Sequence, residues 1–164
     1  MALTLAQQQT LKAYIEADGT LNAFPLTIDG AYAVSGLLNL PASPDFTVWR
    51  KSVETMEVGK VIVYTAIAAM TSGNQGRLDL FAKLNPNSFE PTTDVRAMFD
   101  DIFSGTLGGG GAPTRAALTV LFKRLTTRFE QVFATGTGSD ADPAVLDVTG
   151  FVSPQEVEAV RNLP

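Results

Sequence analysis

Asp100 and Asp101 are adjacent carboxylates, and paired carboxylates can carry general acid–base work. On a helix, neighbours in sequence point about 100° apart, so these two do not share one proton and read as solvated surface. Asp140-Ala141-Asp142 has the alternate spacing of a calcium loop, but the later oxygen ligands and the closing glutamate are missing. The run from Ser104 to Gly111 holds five glycines, as a phosphate loop would. Such a loop needs a lysine and a hydroxyl directly after it, and here Ala112-Pro113-Thr114-Arg115 follows. The run therefore reads as a flexible hinge. Histidine and cysteine are both absent, which removes the usual neutral-pH base, the commonest metal ligand and the thiolate nucleophile. Serine–lysine chemistry has no motif. No catalytic, cofactor or metal residue is assigned, and the chain reads as non-enzymatic.

Charge is the remaining chemistry. The chain carries 17 acids against 12 bases, a net charge of −5, which does not suit a nucleic-acid grip through the overall field. The bases are unevenly placed. Arg115, Lys123, Arg124 and Arg128 face only Glu130 within residues 112–134, whereas Asp140, Asp142, Asp147, Glu156 and Glu158 face only Arg161 within 135–164. This asymmetry suits head-to-tail contact between copies, and equally a solvated surface. Lys123, Arg124, Arg128, Asp140, Asp142, Glu156 and Glu158 are the candidate interface residues. No apolar run approaches the roughly 20 residues that span a bilayer, and the opening Met1-Ala2-Leu3-Thr4 lacks the basic start of a secretory signal. A soluble protein made in a cytosol is expected.

The element that would position these charges is TRAALTVLFKRLTTRFEQVFA, residues 114–134. Leu118, Leu121, Phe122, Leu125, Phe129, Val132 and Phe133 step by three and four, which predicts one amphipathic rod about 30 Å long. With Phe46, Trp49 and Phe99 they form the candidate core, Trp49 serving as a core anchor rather than a ligand platform. Upstream, Thr4 with Gln7 is a capping-box pattern for a helix ending at Asp18-Gly19. A loop over 20–28 and a short helix over 30–39 come next. Ser43-Pro44 predicts the start of a helix bearing Phe46, Trp49, Val53 and Met56 on one face. The Val61–Tyr64 run marks an extended segment within 57–70. Thr71 or Ser72 caps a helix running to Leu84, and Thr92 or Thr93 caps another with Val95, Met98, Phe99, Ile102 and Phe103 inward. After a turn at 135–139, Ser153-Pro154-Gln155-Glu156 opens a last helix through Val157 and Val160. The fold expected is all-α, a bundle of six to seven helices with extended loops. It divides into a bundle domain over 1–134 and an assembly arm over 135–164, whose last residues, 151–164, are dispensable for folding.

LNLPASPDFTVWR (38–50), VRAMFDDIFSG (95–105), TRFEQVFATGTGSDADPA (127–144) and GFVSPQEVEAVRNLP (150–164) resemble a family of small virion-associated proteins of tailed bacteriophages. The resemblance covers about two thirds of the chain and misses residues 52–75. It implies a structural virion protein, best matched by a head-to-tail adaptor. Such connectors form a homo-oligomeric ring, commonly dodecameric, between the portal protein and a tail or nozzle protein. Genomic DNA passes through the ring without specific binding, and no membrane is involved. The location implied is the head–tail interface of the virion. The alternatives are a capsid decoration or head-completion protein and a cytosolic helical protein that binds a partner.

Overall fold

Helix capping and backbone capture by distant strands decide where the elements of this chain begin and end. The computed structural model describes residues 3–164, so the opening Met1-Ala2 of the expected leaderless start lies outside it. Helices make up 56 % of the described residues. They are α1 (Leu5–Ala17), α2 (Gly19–Asn22), α3 (Ile28–Leu38), α4 (Thr55–Val61), α5 (Tyr64–Ala68), α6 (Ser72–Leu84), α7 (Thr93–Ile102), α8 (Gly111–Leu121), α9 (Arg128–Val132) and α10 (Pro154–Arg161). Six short strands lie between them: β1 (Thr47–Trp49), β2 (Val53–Glu54), β3 (Ser88–Phe89), β4 (Lys123–Leu125), β5 (Ala134–Thr135) and β6 (Val145–Leu146). The fold is mostly helical, with small two-stranded sheets where an all-α bundle was expected.

The chain forms two compact units, and they do not follow the division at 134/135. One unit runs to Val48 and resumes at Leu125–Pro164; the other is Trp49–Arg124. The chain passes between them within β1 and again within β4.

In the first unit, Thr4 caps α1 through a capping box with Gln7, and Ser153 caps α10 through one with Glu156, both as the sequence predicts. The core gathers Leu11, Ile15, Val34, Leu38, Phe129, Val152, Val157 and Val160. The expected arm is therefore part of the core: Val157 and Val160 are 0 % and 1 % exposed. Removing residues 151–164 would strip buried methyl groups from this unit, so the terminal helix is not dispensable for its folding. β5 pairs antiparallel with β6, Ala134 opposite Leu146 and Thr135 opposite Val145.

The helix expected after Ser43-Pro44 does not form. Phe46 O accepts from Thr126 N–H at 3.1 Å, Thr47 N–H donates to Gly138 O at 2.7 Å, and Val48 bridges Ala144. A β-branched and aromatic Thr-Val-Trp run, once offered backbone partners, is held extended, and Val48 is fully buried there.

The second unit is built on phenylalanine. Phe81 meets Phe89 edge-on at 4.8 Å and Phe99 at 5.1 Å, and Phe122 stands 5.7 Å from Phe99. Val53, Val58, Ala66, Met70, Ile102, Phe103 and Leu118 complete the core, and β2 pairs antiparallel with β3 through Val53 and Phe89. Residues 57–70 are largely helical, not extended. Glu54 and Glu57 form a capping box at the start of α4, and Ile62 and Val63 make only a brief extended joint before α5.

The glycine run is packed, and the flexible hinge expected there is absent. Gly110 and Gly111 are buried, and a Cβ on Gly110 would lie 2.6 Å from Ala66 N. A Cβ on Gly111 would lie 2.5 Å from Gly105 O. Glycine here permits close approach of backbones.

The rod at 114–134 is also absent. α8 ends at Leu121, residues 123–125 are strand β4, and α9 begins at Arg128. Thr127 caps α9 and Glu130 closes its capping box. A helix start inside the apolar period thus interrupts the rod. Its dry stripe is shared out: Leu118, Leu121 and Phe122 pack in the second unit, Phe129, Val132 and Phe133 in the first. Leu125, predicted as core, is 53 % exposed because it leaves the helical period on β4. Phe46 and Trp49 are half-buried at core edges, and Phe99 is buried.

Candidate assembly surfaces

Arg128, Asp142 and Glu156, three of the predicted interface charges, are used within the fold. Arg128 sits at the first position of α9 and donates to Asp18 Oδ2 at 2.7 Å and to the Tyr14 hydroxyl at 3.4 Å. The Tyr14 hydroxyl and the Asp18 carboxylate raise Arg128 above its ordinary value against the opposing effect of burial. Asp18 also caps α2, accepting from Thr20 and Leu21 N–H at 2.9 and 3.0 Å. The Leu21 N–H and then its other donors hold the Asp18 carboxyl below its usual range. Arg128 is thus a clasp inside the first unit, not an edge offered to a neighbour.

Lys123 and Arg124 lie half-buried on β4. Asp142 accepts from the Thr137 hydroxyl at 3.0 Å and closes an exposed loop that also contains Asp140. Glu156 is consumed by its capping box, and Glu158 is half-buried on α10. Lys123 and Arg124 belong to the second unit, and the other five candidates to the first.

A depressed carboxyl contributes stability that is present above its unfolded value and lost as pH falls through its folded one. In the second unit Glu57 behaves as Asp18 does: Arg50 donates to it at 3.0 and 3.4 Å, and that bond leads the lowering of its pKa. Both contributions are lost progressively as the pH falls below about 4 and the carboxyls take up protons. We expect Asp18→Asn to lose about 1 kcal/mol at pH 7 from the weakened cap and ion pair, and almost nothing at pH 2. Urea midpoints measured across that range test it; an equal loss at both pH values would rule out the linkage.

The sequence reading missed the uncovered apolar side chains. On α3 the buried face is Gly30, Ala31, Val34, Ser35 and Leu38, yet the opposite face is apolar as well. Tyr32 is 56 % exposed, Leu40 just beyond the helix 52 %, and Phe151 70 %. Asn39 joins the last two, donating to Val152 O at 2.9 Å and accepting from Val152 N–H at 3.0 Å. α6 has no buried residue, and Leu80 and Leu84 project from it in an i, i+4 pair. A helix apolar on all sides belongs inside something larger. The available signal was charge spacing: α3 holds a single charged residue, Asp29, in eleven.

Trp49 also differs from a plain core anchor. The Arg96 guanidinium lies 3.9 Å from the ring centre, a cation–π contact at the mouth of a cavity of about 300 Å³. Asp100, Phe99 and Leu118 line the same cavity. Burial lowers Arg96 below its ordinary value, opposed by Asp100. Asp100 and Asp101 serve different ends, since Asp101 pairs with Arg77. Among the described residues no helix is long and apolar enough to cross a membrane.

No protein-family model, curated protein or solved structure matches this chain.

Proposed function

We propose that this chain is a structural virion protein of a tailed bacteriophage, the head-to-tail adaptor that links portal to tail. The observation that carries the reading is the pair of uncovered apolar faces, one in each unit, on α3 with Phe151 and on α6. Each unit already has a complete core of its own, so these faces are surplus to folding and suit an assembling subunit. The resemblance of residues 38–50, 95–105, 127–144 and 150–164 to virion-associated proteins supplies the kind of assembly. A net charge of −5 suits the wall of a channel through which DNA slides without being held.

Quantitative mass spectrometry of purified particles tests this. The expected result is a copy number equal to that of the portal protein, within a factor of about two. A copy number matching the major capsid protein would replace the adaptor with a decoration protein, and absence from particles would leave a cytosolic partner-binding protein.

A further inference from the structure

We infer that the cavity beside Trp49 in the second unit binds a free apolar amino acid, its side chain on the phenylalanine floor and its charged head between Arg96 and Asp100. The inference does not depend on a virion role.

The cavity lies wholly within residues 49–124 and measures about 300 Å³. At roughly 30 Å³ for each water-sized group, that is room for on the order of ten non-hydrogen atoms, the size of leucine or phenylalanine. The lining is graded from bottom to mouth. Phe99, Leu118 and Phe122 are buried, Trp49 and Arg96 are half-buried, and Asp100 and Thr119 are exposed. An apolar floor beneath a polar rim takes a small molecule with one apolar end and one charged end.

The rim carries both signs. Arg96 and Asp100 stand four apart on α7, as neighbours on one helix face. The Arg96 guanidinium is held in place. Besides stacking on Trp49, it donates through Nη1 to Pro91 O and through Nη2 to Thr93 Oγ1 at 3.1 Å. Those bonds use two of its five N–H groups, so a fixed fork keeps donors for a carboxylate. Partial burial works against the Arg96 charge, and a bound carboxylate would relieve that. Asp100 acts on Arg96 through its charge, and among the described residues no hydrogen bond or ion pair occupies its carboxylate. The Thr119 hydroxyl donates to Arg115 O at 2.9 Å, which leaves its lone pairs to accept at the same rim. Asp100 and Thr119 suit an ammonium group. A lone anion would be repelled by Asp100 and a lone cation by Arg96; a zwitterion meets neither repulsion.

Trp49 is the chain's one tryptophan, so its emission reports this cavity alone. Titrating the native chain with L-leucine should shift that emission saturably, with a Kd in the millimolar range or tighter. Isocaproate, which lacks the ammonium, and isoamylamine, which lacks the carboxylate, should each bind at least about tenfold more weakly. Asp100→Asn, a change at an exposed position, should weaken leucine about tenfold without weakening isocaproate. Absence of a saturable shift would overturn the inference. Isocaproate binding as tightly as leucine, or Asp100→Asn binding leucine as the native chain does, would overturn it equally.

Discussion

Replacing Glu130 with alanine is expected to lower the unfolding free energy by about 3 kcal/mol. Glu130 is 3 % exposed, and its carboxylate serves three donors in the first unit. The Thr126 hydroxyl reaches Oε2 at 2.8 Å, Thr127 N–H reaches the same oxygen at 3.3 Å, and Gly150 N–H reaches Oε1 at 2.9 Å. One side chain thus starts α9 and ties the 148–152 loop to it. Truncation takes the carboxylate from the buried Thr126 hydroxyl and removes the side-chain half of the α9 capping box. Glu130→Gln keeps an acceptor for Gly150 and should lose roughly half as much. Urea denaturation of the two variants measures the difference, and an alanine variant within about 1 kcal/mol of the native chain would contradict the clasp.

The second large effect is at the glycine run. Gly110→Ala should destabilise the second unit by about 3 kcal/mol, because the new methyl would lie 2.7 Å from Thr65 Oγ1 and 2.9 Å from Ala66 Cβ as well as against Ala66 N. Backbone of α5 cannot yield to it without displacing the buried Ala66. Gly36→Ala is the matched control. Its Cβ enters open space in the middle of α3, so it should stabilise the chain by up to about 1 kcal/mol. Thermal melts of both variants decide the matter. Equal, small effects would restore the hinge and remove the argument that glycine at 110 is there for close approach.

These two sites also mark where the sequence was legible. Caps are local, and Thr4 with Gln7 and Ser153 with Glu156 started helices where their spacing says they should. The same rule was present at Thr127 and Glu130 but was hidden, because the three-and-four apolar spacing runs straight through it from Phe122 to Phe129. Period alone cannot distinguish one helix from two that happen to stay in phase. The Phe46–Val48 segment became extended because of partners some 80 to 95 residues away, at Thr126, Gly138 and Ala144, and no local signal carries that. The glycine run shows the same limit, since flexibility and close packing use the same residue.

The candidate site was read from charge, and the charges were mostly spent locally on caps and clasps. Arg128 with Asp18 is the clearest case. The apolar faces of α3 and α6 were hidden for the opposite reason: Tyr32, Leu80 and Leu84 are the residue types a core would also use. Only the structure separates the stripe that is covered from the stripe that is not.

The most direct test of the central claim is a cryo-EM reconstruction of the portal vertex of purified particles, without imposed capsid symmetry. A closed ring of this chain between portal and tail is the expected result. Density for the chain spread over the capsid lattice, or no density for it at the vertex, would contradict it.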